Sequence, residues 1–155
     1  MATTASQCST KSGTSPRVLG VRLLPLVAAT ESEIAAAFAT IVEQRAGALL
    51  IAPSVISPSV SDQVISLAGR YAVPTLFLAR NGAVSGGLAS YGAAGSELTR
   101  QSGVYTGRIL NGAKPAELPV VQPTKFEFVI NLGTAKALGL EEPPMLLAIA
   151  DEVIE

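Results

Sequence analysis

Short aliphatic segments recur through the first half of this chain, and their spacing is the feature that most constrains its fold. They lie at Val18–Leu26, Ala48–Ala52 and Pro74–Ala79. Each run is continuous in apolar character, which is typical of strands in a parallel sheet with helices on both faces. The sequence therefore predicts three buried parallel strands joined by crossover connections, with right-handed crossovers expected.

Two helical patterns separate these segments. Thr30 offers an N-cap and Glu33 the reciprocal partner of a capping box, and the apolar residues that follow recur at helical spacing until Gly47. Ser61–Tyr71 carries a second amphipathic pattern. Strand, helix, strand, helix and strand in this order predict an α/β fold with a parallel sheet flanked by helices.

The next part of the chain departs from simple alternation. Leu88–Tyr91 is predicted as a fourth strand, and Ser96 as the cap of a helix that runs to Leu110. Asn111 and Gly112 are predicted to end this helix, because they favour the left-handed backbone at helix C-termini.

The last part of the chain predicts one more strand and two short helices. Lys125–Ile130 alternates apolar and polar residues, which indicates a half-buried strand, and we expect it at an edge of the sheet. Asn131 is predicted to cap the helix Leu132–Leu138. Pro143 and Pro144 begin a final helical turn before the acidic end of the chain.

Composition excludes several classes of function. The 155 residues include no His and one Cys, Cys8, so a histidine base, a Cys/His zinc site and an intrachain disulfide are ruled out. A formal net charge of -1 with scattered Lys and Arg does not predict a nucleic-acid partner. The neighbouring acids Glu141 with Glu142 and Asp151 with Glu152 are interpreted as solvated. We expect no enzyme activity, no cofactor and no metal.

Polar loops follow the predicted strands. In open α/β sheets, ligands bind beyond the carboxyl ends of the strands. Two such loops, Pro53–Ser59 and Arg80–Gly87, are rich in hydroxyl, amide and glycine residues, and a third turn follows Leu26. These loops are suited to hydrogen bonding with a small polar ligand, although the same residue types are common in loops of any function.

Four segments of the second half carry a family resemblance. They are GGLASYG at Gly86–Gly92, YTGRILNGAK at Tyr105–Lys114, LPVVQPTKFEFVINLGTAKALGL at Leu118–Leu140 and ADEVIE at Ala150–Glu155. In order and spacing they resemble the closing portion of ABC-importer substrate-binding proteins of the tryptophan/tyrosine type. The resemblance extends from about Val18 to the end of the chain.

The resemblance implies one lobe of a type I periplasmic-binding-protein fold, with segments that return toward the other lobe. Such proteins close two α/β lobes on a small solute, here an amino acid by analogy, and present it to a permease and its ATPase. Arg80 would pair with a ligand carboxylate. The residues that would face the cleft by this analogy are Ser54, Ser57, Arg80, Asn81 and Tyr91.

The resemblance also implies that the first lobe is absent. Residues 1–16 form a Ser/Thr-rich tail that we expect to be disordered or foreign, and residues 17–155 correspond to the C-terminal lobe region. The family is periplasmic, but this chain carries no signal peptide, so we expect the chain as written to stay in the cytoplasm. We also expect self-association through the face that would meet the first lobe, near the helix Ser96–Leu110.

Three functional interpretations remain open at this point. The first is the solute-binding component of an ABC import system, present as a truncated C-terminal portion. The second is a structural remnant or interaction module that binds no solute. The third is a small flavodoxin-like enzyme or regulatory domain that shares only the α/β architecture.

Overall fold

A computed structural model describes residues 20–52 and 58–155, except the side chain of Pro58. Within these residues, the structure contains five strands and six α-helices. The strands are β1 (Leu49–Ile51), β2 (Thr75–Phe77), β3 (Ala89–Ala93), β4 (Phe126–Asn131) and β5 (Glu152–Ile154). The helices are α1 (Glu31–Glu43), α2 (Pro58–Arg70), α3 (Arg80–Val84), α4 (Gly95–Leu110), α5 (Leu132–Leu138) and α6 (Pro144–Ile149), with a short 3₁₀ helix at Pro115–Glu117.

The described strands form one five-stranded sheet in the order β1-β2-β3-β4-β5. β1, β2 and β3 are parallel, β4 is antiparallel to β3, and β5 is parallel to β4. The predicted α/β class, with a mainly parallel sheet and flanking helices, is confirmed. Strand β4 lies between β3 and β5, so its predicted position at a sheet edge is wrong, because β5 pairs along it.

The capping box predicted at the start of α1 is present. The Thr30 side chain accepts a hydrogen bond from Glu33 N, and the Glu33 carboxylate accepts from Thr30 N at 3.0 Å. Helix α1 then packs against α2, and both contact the β1 side chains Leu49 and Ile51. The buried members of this core cluster are Ile34, Phe38, Ile41, Val64, Ala68 and Val73.

Helix α3 occupies a segment that was predicted as a loop. It packs so closely on β2 that a Cβ added at Gly82 would overlap the Phe77 ring, and one at Gly87 would do the same. Asn131 Nδ2 also donates a hydrogen bond to the Ala83 carbonyl oxygen at 3.0 Å. Two glycines in a short polar segment resemble loop sequence, yet here they permit a helix to approach the sheet.

The strand predicted at Val18–Leu26 is absent from the described part of this segment. Val18 itself lies outside the described residues, and residues 21–29 form no helix or strand. Leu23 is 70% exposed. The segment is mostly apolar, but no described strand pairs with it, and a strand without a partner is not stable.

Successive residues of the strands divide between two faces of the sheet. Thr75, Phe77, Ser90, Val129 and Asn131 are buried on the face that α1, α2 and α3 cover, which we call the helix face. The alternating residues point to the opposite face, and most of them are exposed or half-buried. Within the described residues, α1, α2 and α3 cover the helix face, and Ile130 on the opposite face is also buried, at 3% exposure.

Helix α4 extends from the sheet between β3 and β4 and buries none of its residues. It begins at Gly95 with Ala94 as its cap, so the prediction of Ser96 as the N-cap is wrong by two residues. Its predicted C-cap, Asn111, is confirmed. Among the described helices, none is long and apolar enough to cross a membrane.

Candidate functional site

A charged pair stands where the chain leaves β2. Arg80, the first residue of α3, donates from Nε to Glu152 Oε2 at 2.6 Å and from Nη2 to Glu152 Oε1 at 2.5 Å. This bidentate arrangement is the strongest geometry for a guanidinium and a carboxylate. It joins the start of α3 to β5 across the intervening strands, so Glu152 is not part of a free acidic tail as predicted.

A cleft of about 320 Å³ opens beside this pair. Lys125 and Glu127 line it because they alternate with the apolar residues of the strand and so share the helix face. Asp151 also lines the cleft, and its Oδ2 accepts a hydrogen bond from Phe128 N at 2.8 Å. Val129 supplies an apolar wall.

Hydrogen bonding in the pair favours its charged state. Hydrogen bonds from Arg80 lower the pKa of the Glu152 carboxyl, and Coulomb attraction adds to this effect. The same contacts raise the pKa of Arg80. The cleft therefore contains cations from Arg80 and Lys125 and anions from Glu127, Asp151 and Glu152, which suits a ligand that carries both signs of charge.

Tyr91 lies on the opposite face of the sheet from this cleft. Its ring stacks on Phe126 with centroids 5.7 Å apart and meets the Phe128 ring edge-on at 6.3 Å. Tyr91 is registered with Phe128 in the β3–β4 ladder, which accounts for the contact. The structure thus places Arg80 and Tyr91 near one end of the sheet but on different faces.

Of the other predicted site residues, one lies beside Arg80 and two lie outside the described part of the chain. Asn81 is exposed in α3, next to Arg80, and its side chain makes no hydrogen bond to another described residue. Ser54 and Ser57 lie outside the described residues, although the segment that holds them directly follows β1. Arg80 and Asn81 are therefore brought together, and Tyr91 is separated from both.

Residues that the sequence analysis missed complete the cleft. Lys125 and Glu127 could have been found, because a strand with Phe126 and Phe128 on one face must present the residues between them on the other. Glu152 lies in β5, a strand of only three residues, which is too short to give a clear sequence signal. In the part of the chain described by the structure, no cluster of His, Cys, Asp and Glu could hold a metal ion.

The fold is that of a substrate-binding protein domain, and comparison with known proteins identifies the family. The family model for ABC transporter substrate binding proteins matches residues 13–154. The chain belongs to this family, whose members bind solutes rather than catalyse reactions. No curated protein matches the chain.

Solved structures that are similar to the chain include a protein of the same kind bound to an amino acid. The ABC domain from Streptococcus pneumonia, solved in complex with L-Trp, is 27% identical and superposes with a TM-score of 0.80, covering 89% of this chain and 46% of that one. A conserved domain protein from Vibrio cholerae is 26% identical, with a TM-score of 0.76, and covers 88% of this chain and 46% of that one.

A third structure is similar in fold. A substrate-binding protein with adhesive properties from Clostridium difficile, in its ligand-free, open form, is 21% identical with a TM-score of 0.57, covering 83% of this chain and 42% of that one. In all three cases the chain spans less than half the length of the solved protein.

Proposed function

We propose that this chain is the C-terminal lobe region of the solute-binding component of an ABC import system, and that its solute is an amino acid. The observation that carries the proposal is the family match over residues 13–154. Likeness to a structure that holds L-Trp supports an amino acid as the solute class.

The solute would meet this chain at the carboxyl ends of β1 and β2. The residues that supply this edge are Arg80 and Asn81, with Ser54 and Ser57 in the segment after β1. Arg80 offers a guanidinium to the solute carboxylate, in competition with Glu152. Tyr91 would contribute only if the solute reached around the sheet edge, because its ring faces the other side.

A second lobe would complete the site, and a permease with its ATPase would receive the solute. Two-lobed binders hold the ligand from both sides and close by a hinge motion. The complete protein would act in the periplasm, with residues 17–155 as one lobe region and residues 1–16 as a tail outside it. Because one side of the cleft holds only part of the contacts, this chain alone should bind weakly.

The test is an amide NMR titration of this chain with L-Trp, and with the uncharged analogue indole as a control. We expect small, saturable shift changes at high millimolar L-Trp, clustered at the start of α3 and after β1, and absent with indole. An Arg80→Ala variant should lose them, whereas an Arg45→Ala variant, altered in the turn after α1, should keep them. Shift changes spread evenly over the surface would contradict the proposal.

Thermal unfolding supplies a second measurement. A ligand stabilises a protein by RT ln(1 + [L]/Kd), so a solute below its dissociation constant adds less than about 0.4 kcal/mol. Millimolar L-Trp should therefore raise the melting temperature by no more than about 2 °C. A larger rise would show that this chain forms a tight site without a second lobe.

The alternative of a structural remnant without solute binding is favoured by one observation. The chain spans less than half the length of each solved protein above. Absence of any L-Trp-dependent shift, with the same result for other amino acids, would support the remnant and reject solute binding by this chain.

A further inference from the structure

The cleft beside Arg80 holds more acidic than basic side chains. Arg80 and Lys125 supply its positive charges, and the negative charges come from Glu127, Asp151 and Glu152. Among the described residues, no other charged side chain lines it, so one negative charge is left without a counterpart. A bound ligand without net charge would leave this excess in place.

Arg80 does not remove this excess, because acids already engage it. Its guanidinium binds Glu152 through hydrogen bonds of 2.6 Å and 2.5 Å. The pKa of Arg80 is raised chiefly by these hydrogen bonds, and the charge of Glu127 adds to the rise. If a solute carboxylate displaced Glu152 from Arg80, the released Glu152 would itself become an unpaired anion. The cleft therefore keeps one acid in excess in either arrangement.

Lys125 is the other cation of the cleft. Its side chain forms no hydrogen bond or ion pair with another described residue. The pKa of Glu97, in the first turn of α4, is lowered mainly by the hydrogen bonds from Arg100 and to a smaller extent by the charge of Lys125. Glu97 and Arg100 form an ion pair at 2.6 Å, so together they add no net charge near the cleft. Lys125 therefore remains available to a solute carboxylate.

Two acids of the cleft have acceptor oxygens to spare. Glu127 is half-buried on β4, and its carboxylate accepts no hydrogen bond from another described residue. Asp151 uses Oδ2 to accept from Phe128 N at 2.8 Å, and its Oδ1 has no partner in the described part of the chain. A carboxylate accepts several hydrogen bonds, and an ammonium or guanidinium group donates several. Both acids are therefore suited to bind a cationic group of a ligand.

A buried hydroxyl next to the cleft also lacks a partner. Ser90 is registered with Val129, the apolar wall of the cleft, and both lie on the helix face. Ser90 is 1% exposed, and its Oγ forms no hydrogen bond within the described residues. Buried polar groups are nearly always hydrogen-bonded. A polar solute that reached over Val129 would supply the partner that this hydroxyl lacks.

We propose that the solute of this cleft is a basic amino acid, with a second ammonium or guanidinium group on its side chain. The inference rests on the proposed function and narrows its solute class. The solute carboxylate binds Lys125 or Arg80, and its two positive groups bind the acids of the cleft. Such a solute offsets the excess negative charge, which a neutral or acidic amino acid does not. Charge complementarity of this kind acts chiefly on specificity, so L-Trp would bind less tightly.

Amide NMR titrations of the full chain with L-lysine and L-norleucine test the inference. These amino acids differ only in the side-chain ammonium group, so the ratio of their dissociation constants isolates the second positive charge. Exposed ion pairs contribute up to about 1 kcal/mol, or about fivefold, so L-lysine should bind about two- to fivefold more tightly. Its shift changes should cluster at residues 125–127 and 151–152. Glu127→Gln should bring the ratio close to one, whereas Glu43→Gln, at the end of α1, should keep it.

The outcomes separate this inference from the proposed function. Equal dissociation constants for the two amino acids would reject a basic solute and keep an amino acid as the solute class. A ratio that persists in Glu127→Gln would locate the lysine site outside the cleft and also reject the inference. Absence of saturable binding by either amino acid would reject both proposals.

Salt dependence provides a readout that needs no variant. Raising NaCl from about 50 mM to about 500 mM shortens the distance over which exposed charges interact, so the advantage of L-lysine over L-norleucine should shrink. An advantage that does not change with salt would contradict recognition by the charged groups of the cleft.

Discussion

Gly92 occupies the tightest backbone position in the sheet. A Cβ at this residue would overlap the carbonyl oxygen of Leu78, which belongs to the backbone and cannot rotate away. We predict that Gly92→Ala lowers the free energy of unfolding by about 3 kcal/mol or more, because the β2–β3 region must shift to admit one methyl group. Urea unfolding followed by circular dichroism measures this loss.

The matched control is Gly103→Ala. Gly103 lies within α4, and a Cβ there meets no atom within 4 Å. Alanine has the higher helix propensity, so this variant should gain up to about 1 kcal/mol. Equal effects of the two substitutions would mean that the approach of Leu78 to Gly92 is not a constraint on folding.

The charged pair of Arg80 and Glu152 predicts a stability that depends on pH. Hydrogen bonds lower the pKa of Glu152 and of Glu33 in the folded chain from the usual value of 4.5. A lowered pKa adds stability that is present above the unfolded value and is lost as the pH falls through the folded value. We therefore predict that the melting temperature falls steadily below about pH 4.5.

Two variants separate this effect from general acid denaturation. Glu152→Gln removes the charge that Arg80 binds, so its melting temperature should change less with pH than that of the wild-type chain. Glu43→Gln, at the end of α1 where the side chain makes no hydrogen bond to another described residue, should follow the wild-type profile. A wild-type slope in Glu152→Gln would show that the ion pair does not contribute.

At the scale of elements, Asn131 connects the sheet to two helices. Its Oδ1 accepts from Thr134 N at 2.9 Å and so caps α5, while its Nδ2 donates to the Ala83 oxygen in α3. Asn131→Ala should cost about 2 to 4 kcal/mol, since it removes a cap and leaves a buried carbonyl without its donor. Chemical denaturation of the variant measures the change.

Asn131→Asp distinguishes the two roles of this residue. Aspartate keeps the cap acceptor but cannot donate to Ala83, and its charge faces a carbonyl oxygen. If the contact with α3 matters, the aspartate variant should be at least as unstable as the alanine variant at neutral pH. Near-wild-type stability of Asn131→Asp would assign the whole effect to the cap.

Elements with a local signal were predictable from sequence, and elements that depend on distant partners were not. The Thr30 capping box and the Asn131 cap rest on residues three positions apart, so their patterns are visible in the chain. The apolar run of residues 21–26 is equally visible, but a strand also needs a neighbouring strand for its hydrogen bonds. Strand β5 was missed for the converse reason, since three residues carry little pattern without β4 beside them.

The candidate site was predictable only in part, for a similar reason. The rule that ligands bind at strand carboxyl ends identified Arg80 and Asn81 from their place after an apolar run. It could not reveal that Glu152 binds Arg80, because the two residues are 72 positions apart in the chain. The separation of Tyr91 from Arg80 required the register of β3, and a register shift of one residue would have reversed it.

For the whole molecule, the two faces of the sheet have different surroundings. One face holds the buried core and the charged cleft beside Arg80. The other is apolar or aromatic at nine strand positions, and it buries Ile130 while leaving Leu50, Tyr91 and Phe126 about half exposed.

The ladder between β3 and β4 has a consequence for how the chain can be cut. Ala94 N donates to the Lys125 oxygen at 3.0 Å, so the chain leaves the sheet and returns to it through adjacent positions. Residues 95–124 are therefore topologically an insertion into the β-hairpin that β3 and β4 would otherwise form. Replacing residues 95–124 with an Asn-Gly turn should yield a continuous β-hairpin that folds.

This shortened chain should keep or gain stability, by up to about 2 kcal/mol, because a short loop costs less entropy to close. Amide NMR spectra should show the signals of α1, α2 and the five strands at nearly unchanged positions. Loss of folding would mean that α4 supports the sheet although none of its residues is buried. If the shortened chain folds, then residues 95–124 are not required for folding, and the remaining residues form a minimal folding unit.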